Sequence, residues 1–331
     1  MSPLPSRPTR RSFLKLTGGA LGATLAAPAL LRAETSPLET IAGTAFATYW
    51  RLSVPSGRDA GRLRGRIEAA LAEIDHQMSP WRADSDVCRF NAAAEGTVAM
   101  PSETVSVTAA ALAIAKASDG RFDPTVGPLV ARWGFGPIEK GAPPDWHKIG
   151  LAEDHIVKRK GGLTLDLCGI AKGYALDRML AIASEAGHDD LLIDLGGELA
   201  AKGRHPSGRD WYVAVEDPRP GASGIVAKLR LDDTTVATSG GHIQSYELDG
   251  RRYSHIIDPP TGEPVAGGLL SVSVLAPRAT EADGWATALA AAGPIEGPAL
   301  ARKNGIAALF LRADGVDIAR ETTGGFETHL L

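Results

Sequence analysis

The chain changes from helical to strand-rich character around residues 165–177, which read Leu-Asp-Leu-Cys-Gly-Ile-Ala-Lys-Gly-Tyr-Ala-Leu-Asp. Apolar residues alternate over Leu163–Leu167 and then recur at helical spacing. This pattern predicts a short strand, a glycine turn and a helix over Ile170–Ala186, which Gly187 ends. The segment therefore predicts a strand that turns directly into a helix.

Helices are predicted mainly before this segment and strands mainly after it. The expected early elements are a strand within Thr44–Val54, an amphipathic helix over Arg58–Met78, a helix from a Ser102 cap to Asp119-Gly120 and a short helix from Pro124 to Trp133. The expected later strands cover 191–195, 211–216, 225–231, 243–248, 252–257 and 269–275, followed by an Ala-rich helix over Thr280–Ala292. Helices clustered early and strands clustered late predict an α+β fold with a mostly antiparallel sheet.

The composition is that of a folded protein. Of 331 residues, 44% are hydrophobic and 22% are charged, so a sizeable core is expected. Two cysteines without a C-x-x-C pair exclude a disulfide scaffold and a zinc ribbon. The sequence also contains no P-loop, no G-x-G-x-x-G between a strand and a helix, no H-E-x-x-H and no G-x-S-x-G, which excludes the common enzymes built on those motifs.

The first 33 residues have the pattern of an export signal. They contain five basic side chains and no acid, followed by a run rich in Ala, Leu and Gly over Leu16–Leu31. Within them, Arg10-Arg11-Ser12-Phe13-Leu14-Lys15 is similar to the twin-arginine pattern, which predicts export to the periplasm and a mature domain over residues 34–331. The alternative is a membrane anchor, but the apolar run is short for a span.

The mature chain is predicted to be acidic. Removal of residues 1–33 leaves 30 basic and 39 acidic side chains, a formal charge of −9. An acidic surface repels phosphate backbones, so nucleic acid is not expected as a partner. No further segment is apolar enough to cross a membrane, and Cys88 and Cys168 could pair in an oxidising compartment.

Residues 165–177 also suit a phosphate. Free N–H groups at the start of the predicted helix would bind it, and Lys172 would add positive charge. Equally, Gly169 and Gly173 would allow tight packing of the strand on the helix, and the residues alone leave both possibilities open.

A second candidate site lies in the late helix. Asp283 and Thr287 are four residues apart, so their oxygens lie on one helix face, where they could hold a hard cation such as Mg²⁺. The alternative is a capping role, because Thr280 to Asp283 has nearly the spacing of a capping box.

Two further segments carry candidate chemistry. His255 and Asp258 lie near the end of a predicted strand, where His could act as a base and Asp could orient it or bind metal; a structural role in the Asp-Pro turn is the alternative. In Gly120–Leu129, Asp123 lies at a turn and helix start and could equally be a cap.

These segments jointly resemble the ApbE family. The resemblance spans about residues 43–320 and is carried by 78–81 with 85–91, 122–129, 165–177, 195–197, 237–240, 254–262 and 282–289, in the family's order. Members of that family are FAD:protein FMN transferases with a single T-fold-related α+β domain. They bind FAD in a cleft with Mg²⁺ at its pyrophosphate, transfer FMN to a Thr hydroxyl of an acceptor protein and release AMP.

The resemblance implies roles for particular residues. Phe46, Trp81, Arg121, Phe122, Asp123, Asp166, Lys172 and Ile257 fall on flavin-contacting positions. Metal would be held by Gly169, Asp283, Thr287 and the Ala286 carbonyl. The expected catalytic residues are His255, which falls on the motif's catalytic His, and Asp258, three residues later. The implied partners are FAD and an acceptor flavoprotein subunit of a membrane redox complex. The alternatives are an FAD pyrophosphatase, which would give free FMN and AMP, and a non-catalytic periplasmic FAD-binding protein.

Overall fold

The structure is a computed structural model that describes residues 38–219, 221–241, 244–248 and 251–331. The predicted twin-arginine signal, residues 1–33, lies outside the described residues. The described residues belong to one compact unit.

The described part of the chain contains seven α-helices. They are α1 (Arg64–Met78), α2 (Asp86–Ala92), α3 (Ser102–Ala117), α4 (Gly127–Arg132), α5 (Ala171–Glu185), α6 (Ala279–Ala291) and α7 (Gly293–Asn304). Short 3₁₀ turns occur at Ala60–Leu63, Trp146–Lys148 and Phe326–His329. In α1, the residues at helical spacing, Ile67, Leu71, Ile74 and Met78, are buried, which explains why this segment is a helix packed on a core.

In the described ranges the strands form one large sheet and four small ones. In chain order they are β1 (Leu38–Ala45), β2 (Thr48–Pro55), β3 (Gly96–Ala99), β4 (Ile149–Ala152), β5 (His155–Lys158), β6 (Leu191–Leu195), β7 (Glu198–Lys202), β8 (Trp211–Glu216), β9 (Ile225–Leu231), β10 (Thr235–Gly240), β11 (Ser245–Leu248), β12 (Arg251–Ser254), β13 (Ile257–Asp258), β14 (Glu263–Pro264), β15 (Leu269–Ala276), β16 (Ala307–Asp314) and β17 (Asp317–Thr323).

The large sheet has eight strands in the order β1-β2-β6-β7-β10-β15-β16-β17. Its assigned pairings are antiparallel, as are those of the small sheets β3-β5-β4, β8-β9, β11-β12 and β13-β14. The predicted α+β fold with a mostly antiparallel sheet is therefore confirmed. Helix α6 packs on β10 and β15, and α5 packs beside α6, so the two helices lie together against the centre of this sheet.

Three local predictions were wrong. The strand expected over 252–257 is interrupted at residues 255–256, between β12 and β13. The segment Thr44–Val54 is a hairpin rather than one strand, because Phe46 and Ala47 adopt left-handed conformations with φ of 51° and 59° and turn the chain between β1 and β2. Leu163–Leu167 is not a strand. The backbone of Leu165 instead pairs with the side-chain amide of Asn91, which accepts from its N–H at 2.6 Å and donates to its carbonyl at 3.0 Å.

The predicted helices are present, but two begin later than expected. Helix α1 begins at Arg64 rather than Arg58, after the 3₁₀ turn, and α4 begins at Gly127 rather than Pro124. Ser102 is the first residue of α3 and Pro101 occupies the cap position, so Ser102 does not cap this helix. None of the helices in the described ranges is long and apolar enough to cross a membrane.

Candidate active site at the start of α5

Helices α5 and α6 approach each other at Gly173. A Cβ atom at this position would lie 2.2 Å from the carbonyl oxygen of Ala279, so only glycine allows the approach. The N–H of Gly173 donates to Oδ2 of Asp283 at 2.9 Å. Gly173 therefore serves close packing, and its backbone N–H binds a carboxylate of the neighbouring helix.

Asp283 does not cap its own helix. That role belongs to Asp177 of α5, whose carboxylate accepts from the N–H groups of Ala279 and Thr280 at 2.8 and 3.0 Å. Asp283 is only 5% exposed, and burial raises the pKa of its carboxyl group while the charge of Lys172 opposes this shift. A buried carboxylate that is not needed for capping is available for another function.

Thr287 lies one turn further along α6 and faces the loop that precedes α5. Its Oγ1 donates to the carbonyl oxygen of Gly169 at 3.2 Å and lies 3.4 Å from Oγ of Ser239. Gly169, Asp283 and Thr287, three of the four proposed metal-binding residues, are thus gathered at the contact of α5 and α6. Ala286 is also buried there, and its carbonyl, which accepts within the helix, keeps a second lone pair.

A buried ion pair adjoins these residues. Nζ of Lys172 lies 3.0 Å from Oε1 of Glu198, whose side chain is 3% exposed. Burial, followed by the negative charge of Asp283, raises the pKa of Glu198 to about 8, and the charge of Lys172 opposes the shift. One lysine thus faces two buried carboxyl groups.

The donor set fits a hard divalent cation. A carboxylate, a hydroxyl and a backbone carbonyl are oxygen donors of the kind that Mg²⁺ prefers. The buried side chain of Glu198 adjoins this donor set and shares a hydrogen bond with the carboxyl group of Asp283. Within the same ranges, no group of three or more His, Cys, Asp and Glu side chains is placed to hold a metal, so a zinc-type site is not seen there.

Residues 121–123 lie against this region. A Cβ atom at Gly169 would lie 3.2 Å from the ring of Phe122, which is 4% exposed. Asp123 is 9% exposed, and its Oδ1 accepts from the N–H and Oγ1 of Thr125 at 2.7 and 2.6 Å. Burial raises the pKa of Asp123, although these hydrogen bonds oppose the shift.

Arg121 connects this segment to the turn after β13. Its guanidinium lies 2.6 Å from Oδ1 of Asp258 and also pairs with Glu296. Oδ2 of Asp258 accepts from Oγ1 of Thr261 at 3.0 Å. Both carboxylate oxygens of Asp258 therefore have partners, and the structure places this residue as the charge partner of Arg121.

His255 is oriented by the backbone. Its Nδ1 lies 3.2 Å from the carbonyl oxygen of Gln244, which also accepts from the N–H of His255 at 3.1 Å. A carbonyl only accepts, so Nδ1 carries the proton of the neutral ring and Nε2 keeps its lone pair. The edge of the ring faces Phe135, with centroids 6.3 Å apart. This tautomer is suited to a general base.

A cavity of about 430 Å³ opens beside residues 120–123. Its walls include Asp123, Arg132 and Trp146 together with Pro259 and Pro260. A volume of this size accommodates part of a dinucleotide, and apolar walls with a few polar groups are typical of ligand sites.

The remaining predicted flavin contacts lie at several places. Asp166 precedes the loop, and its Oδ1 accepts from the N–H of Cys168 at 3.0 Å. Ile257 is 4% exposed in β13, Phe46 is half-buried in the β1–β2 turn, and Trp81 is 63% exposed after α1. Cys88 and Cys168 are both free thiols.

Sequence reasoning missed Glu198, Asp177 and Asn91. The only signal for Glu198 was its position after Gly196-Gly197, which form the turn between β6 and β7 with φ of 59° and 93°. Asp177 and Asn91 act on residues that are distant in sequence, so no local pattern identifies them.

Comparison with known proteins places the chain in a family. A family model described as the ApbE family matches residues 46–310. A protein named FAD:protein FMN transferase from Klebsiella pneumoniae (strain 342) is 34% identical over 309 residues, covering 87% of this chain and 88% of the relative. A protein of the same name from Escherichia coli (strain K12) is 32% identical, with the same coverage.

Comparison with solved structures indicates the same family. The apo form of the Pseudomonas stutzeri flavinyl transferase ApbE has a TM-score of 0.80 and 35% identity, covering 88% of this chain and 96% of that one. The flavin transferase ApbE from Vibrio cholerae has a TM-score of 0.80 and 30% identity, covering 89% and 100%. With a family model over most of its length and relatives above 30% identity, this chain belongs to the ApbE family.

Proposed function

We propose that this protein is a Mg²⁺-dependent FAD:protein FMN transferase that attaches FMN to a Thr of an acceptor protein and releases AMP. The observation that carries the proposal is the meeting of Gly169, Asp283 and Thr287 at the start of α5, with Lys172 beside them. The support for the activity itself is the name of the related proteins.

The site residues would bind and orient FAD. Lys172 adds positive charge near the start of α5, where a pyrophosphate would lie. The exposed ring of Trp81 and the half-buried ring of Phe46 offer aromatic faces for a flavin or adenine ring. Gly169, Asp283 and Thr287 would hold Mg²⁺, which when bound neutralises charge on non-bridging phosphate oxygens.

His255 would act on the acceptor. Its Nε2 takes the proton of the Thr hydroxyl as the Thr oxygen attacks the phosphorus atom of the FMN half. A Thr O–P bond forms, the P–O bond to AMP breaks, and AMP leaves with the electron pair. The backbone carbonyl of Gln244 holds the imidazole in the tautomer that this step needs.

The proposed location is the periplasm, reached through the twin-arginine pathway. The support is the basic, acid-free segment of residues 1–33 with its Arg10-Arg11 pair. An exported flavin transferase would act on a flavoprotein subunit of a membrane redox complex with a domain on that side.

Mass spectrometry tests the activity. The mature protein is incubated with FAD, Mg²⁺ and a Thr-containing acceptor domain, and acceptor mass and nucleotides are followed together. We expect an acceptor that carries FMN, an equal amount of AMP, and loss of both with EDTA. Free FMN and AMP without a modified acceptor would identify an FAD pyrophosphatase instead, and intact bound FAD would identify a binding protein.

Two variants sharpen the test. Asp283→Asn keeps an oxygen that accepts from the N–H of Gly173 but removes the charge, so the fold should survive while AMP release falls at least about 100-fold. Asp189→Asn removes an exposed carboxylate that pairs with Lys202 at 2.7 Å and should leave activity unchanged. Equal activity of both variants would refute the metal assignment.

A further inference from the structure

The hairpin formed by β11 and β12 is held against the segment after α4 by a stack of four aromatic rings. Tyr246 and Tyr253 lie opposite each other in the hairpin, with ring centroids 5.5 Å apart. Trp133 stacks on Tyr253 at 5.5 Å, and Phe135 stacks on Tyr246 at 5.3 Å. Aromatic pairs of this kind are favourable beyond the apolar area that they bury, so the stack fixes the position of the hairpin.

The proposed catalytic base lies at the end of the same hairpin. His255 directly follows β12, and its N–H donates to the carbonyl oxygen of Gln244, the residue before β11. Its Nδ1 lies 3.2 Å from the same oxygen, so the imidazole reaches from β12 towards the β11 side. The edge of the ring faces Phe135 of the aromatic stack. A Thr hydroxyl that gives its proton to Nε2 must therefore come to this end of the hairpin.

Strand β11 has an open edge. It pairs with β12 and with no other strand in the ranges that the structure describes. All four of its residues, Ser245–Leu248, are exposed, and they include the apolar side chains of Tyr246 and Leu248 at 39% and 47% exposure. An exposed strand edge that carries apolar side chains and no proline is a template for another strand.

The alternation of the ladder shows which backbone groups face that edge. Because the N–H of His255 bonds to Gln244, every second residue from Gln244 onwards directs its backbone groups towards β12. The residues between them, Ser245 and Glu247, direct theirs to the open edge. Their N–H and carbonyl groups can therefore bond to an added strand, one strand away from the carbonyl that orients His255.

We propose that the open edge of β11 is the docking site of the acceptor protein, whose Thr-bearing segment binds as an extended strand beside Ser245–Leu248. This inference rests on the proposed function, because it names the surface that receives the protein substrate of that reaction. Strand addition supplies affinity through the main chain and fixes the register of the bound segment. A fixed register places one Thr, rather than its neighbours in sequence, at Nε2 of His255.

The variant Glu247→Pro tests the inference by blocking the edge. The N–H of Glu247 faces away from β12, so proline removes no hydrogen bond of the hairpin but denies one to an added strand. The probe is the Thr-containing acceptor domain of the mass-spectrometric test, with initial rates of FMN transfer measured over a range of acceptor concentrations. We expect the KM for the acceptor to rise about ten-fold or more, while kcat and the KM for FAD stay those of the wild type.

Two matched variants separate the edge from other effects. Glu247→Gln removes the charge but keeps the N–H, and Arg252→Pro makes the same backbone change at the opposite position, on the other edge of the hairpin. Both should keep the wild-type KM for the acceptor. Hydrogen exchange adds a readout without turnover: in the absence of FAD, the acceptor domain should slow the exchange of the amides of Ser245 and Glu247.

Each outcome is decisive. If Glu247→Pro keeps the wild-type KM for the acceptor, or if Arg252→Pro raises it equally, the inference is overturned while the proposed function stands. If the wild type transfers no FMN to the acceptor, the proposed function fails and the inference fails with it. If Glu247→Pro does not fold by circular dichroism, hydrogen exchange of the wild type decides, and unchanged exchange at Ser245 and Glu247 overturns the inference. Slowed exchange there in the protein alone, increasing with its concentration, would make a second copy of this chain the occupant and would also overturn it.

Discussion

Asn91 shows how a single residue holds the segment that leads into the site. Its amide makes two hydrogen bonds to the buried backbone of Leu165, four residues before Gly169. Asn91→Ala would leave a buried N–H and a buried carbonyl unpaired, and we expect the free energy of unfolding to fall by about 2–4 kcal/mol. Guanidinium denaturation measures this loss.

A matched control separates stability from function. Asn304→Ala removes an amide that donates to the carbonyls of Leu300 and Ala117 at 3.0 and 3.3 Å, away from the metal residues. Both variants should lose stability, but only Asn91→Ala should also weaken Mn²⁺ binding. Equal Mn²⁺ affinity in the two variants would show that Asn91 has no positioning role.

The raised pKa of Glu198 predicts how the stability of the metal-free protein depends on pH. Burial and the charge of Asp283 raise its pKa from 4.5 to about 8, so the folded state binds more protons than the unfolded state between these values. Stability therefore falls as pH rises through this window, by up to about 1.4 kcal/mol per pH unit for one group. Thermal melts in EDTA from pH 5 to pH 8 should show a falling Tm for the wild type and a flatter profile for Glu198→Gln. A Tm that rises over this range would contradict the assignment.

The site residues that could be predicted from the sequence are those whose role depends on residues close to them in the sequence. Asp283 and Thr287 were recognisable because a spacing of four residues places them on one helix face. The choice between a cation site and a cap could not be made locally, because the actual cap of α6 is Asp177, which lies 102 residues earlier.

At the scale of elements, the contact of α5 and α6 depends on Gly173. In Gly173→Ala, a Cβ atom would lie 2.2 Å from backbone and 2.7 Å from the Cβ of Asp283, so the helices must separate. We expect the overlap to lower the free energy of unfolding by about 1–3 kcal/mol. The higher helix propensity of alanine offsets about 1 kcal/mol of this loss. Chemical denaturation measures the net effect.

The matched control is Gly65→Ala in α1. Gly65 is exposed, and a Cβ atom there would meet nothing within 4 Å. This variant should be more stable than the wild type by about 0.4–1 kcal/mol. If Gly173→Ala were stabilised to the same extent, the close approach of the two helices would not limit the fold.

Elements were predictable where the pattern is intrinsic to the segment. Helices α1, α5 and α6 and the strands β6 and β8 follow their apolar periodicity and end near glycines or prolines. The segment Leu163–Leu167 has the apolar alternation of a strand, but the backbone of Leu165 pairs with a side chain rather than with a neighbouring strand. The periodicity of apolar residues indicates which side chains are buried, but it does not identify the hydrogen-bond partners of the backbone.

At the scale of the whole molecule, the order of strands was beyond sequence reasoning. The large sheet joins β2 to β6, across more than 130 residues of intervening chain, through pairs such as Trp50 with Leu195. Such pairing depends on which apolar faces fit together after collapse rather than on any local signal. The α+β class was nevertheless predictable, because it needs only the order of helical and strand-like segments.

Because the proposed donors come from distant parts of the chain, a bound cation should stabilise the whole fold. Gly169 and Thr287 are 118 residues apart, and a cation held between them crosslinks the loop before α5 to α6. A ligand present at 100 times its Kd adds about 2.7 kcal/mol to the free energy of unfolding. For a domain of this size we expect Mg²⁺ to raise the Tm by about 4 °C. Differential scanning calorimetry should show this rise for the wild type and for Asp189→Asn but not for Asp283→Asn. A rise of equal size in Asp283→Asn would mean that Mg²⁺ acts on the acidic surface rather than at the contact of α5 and α6.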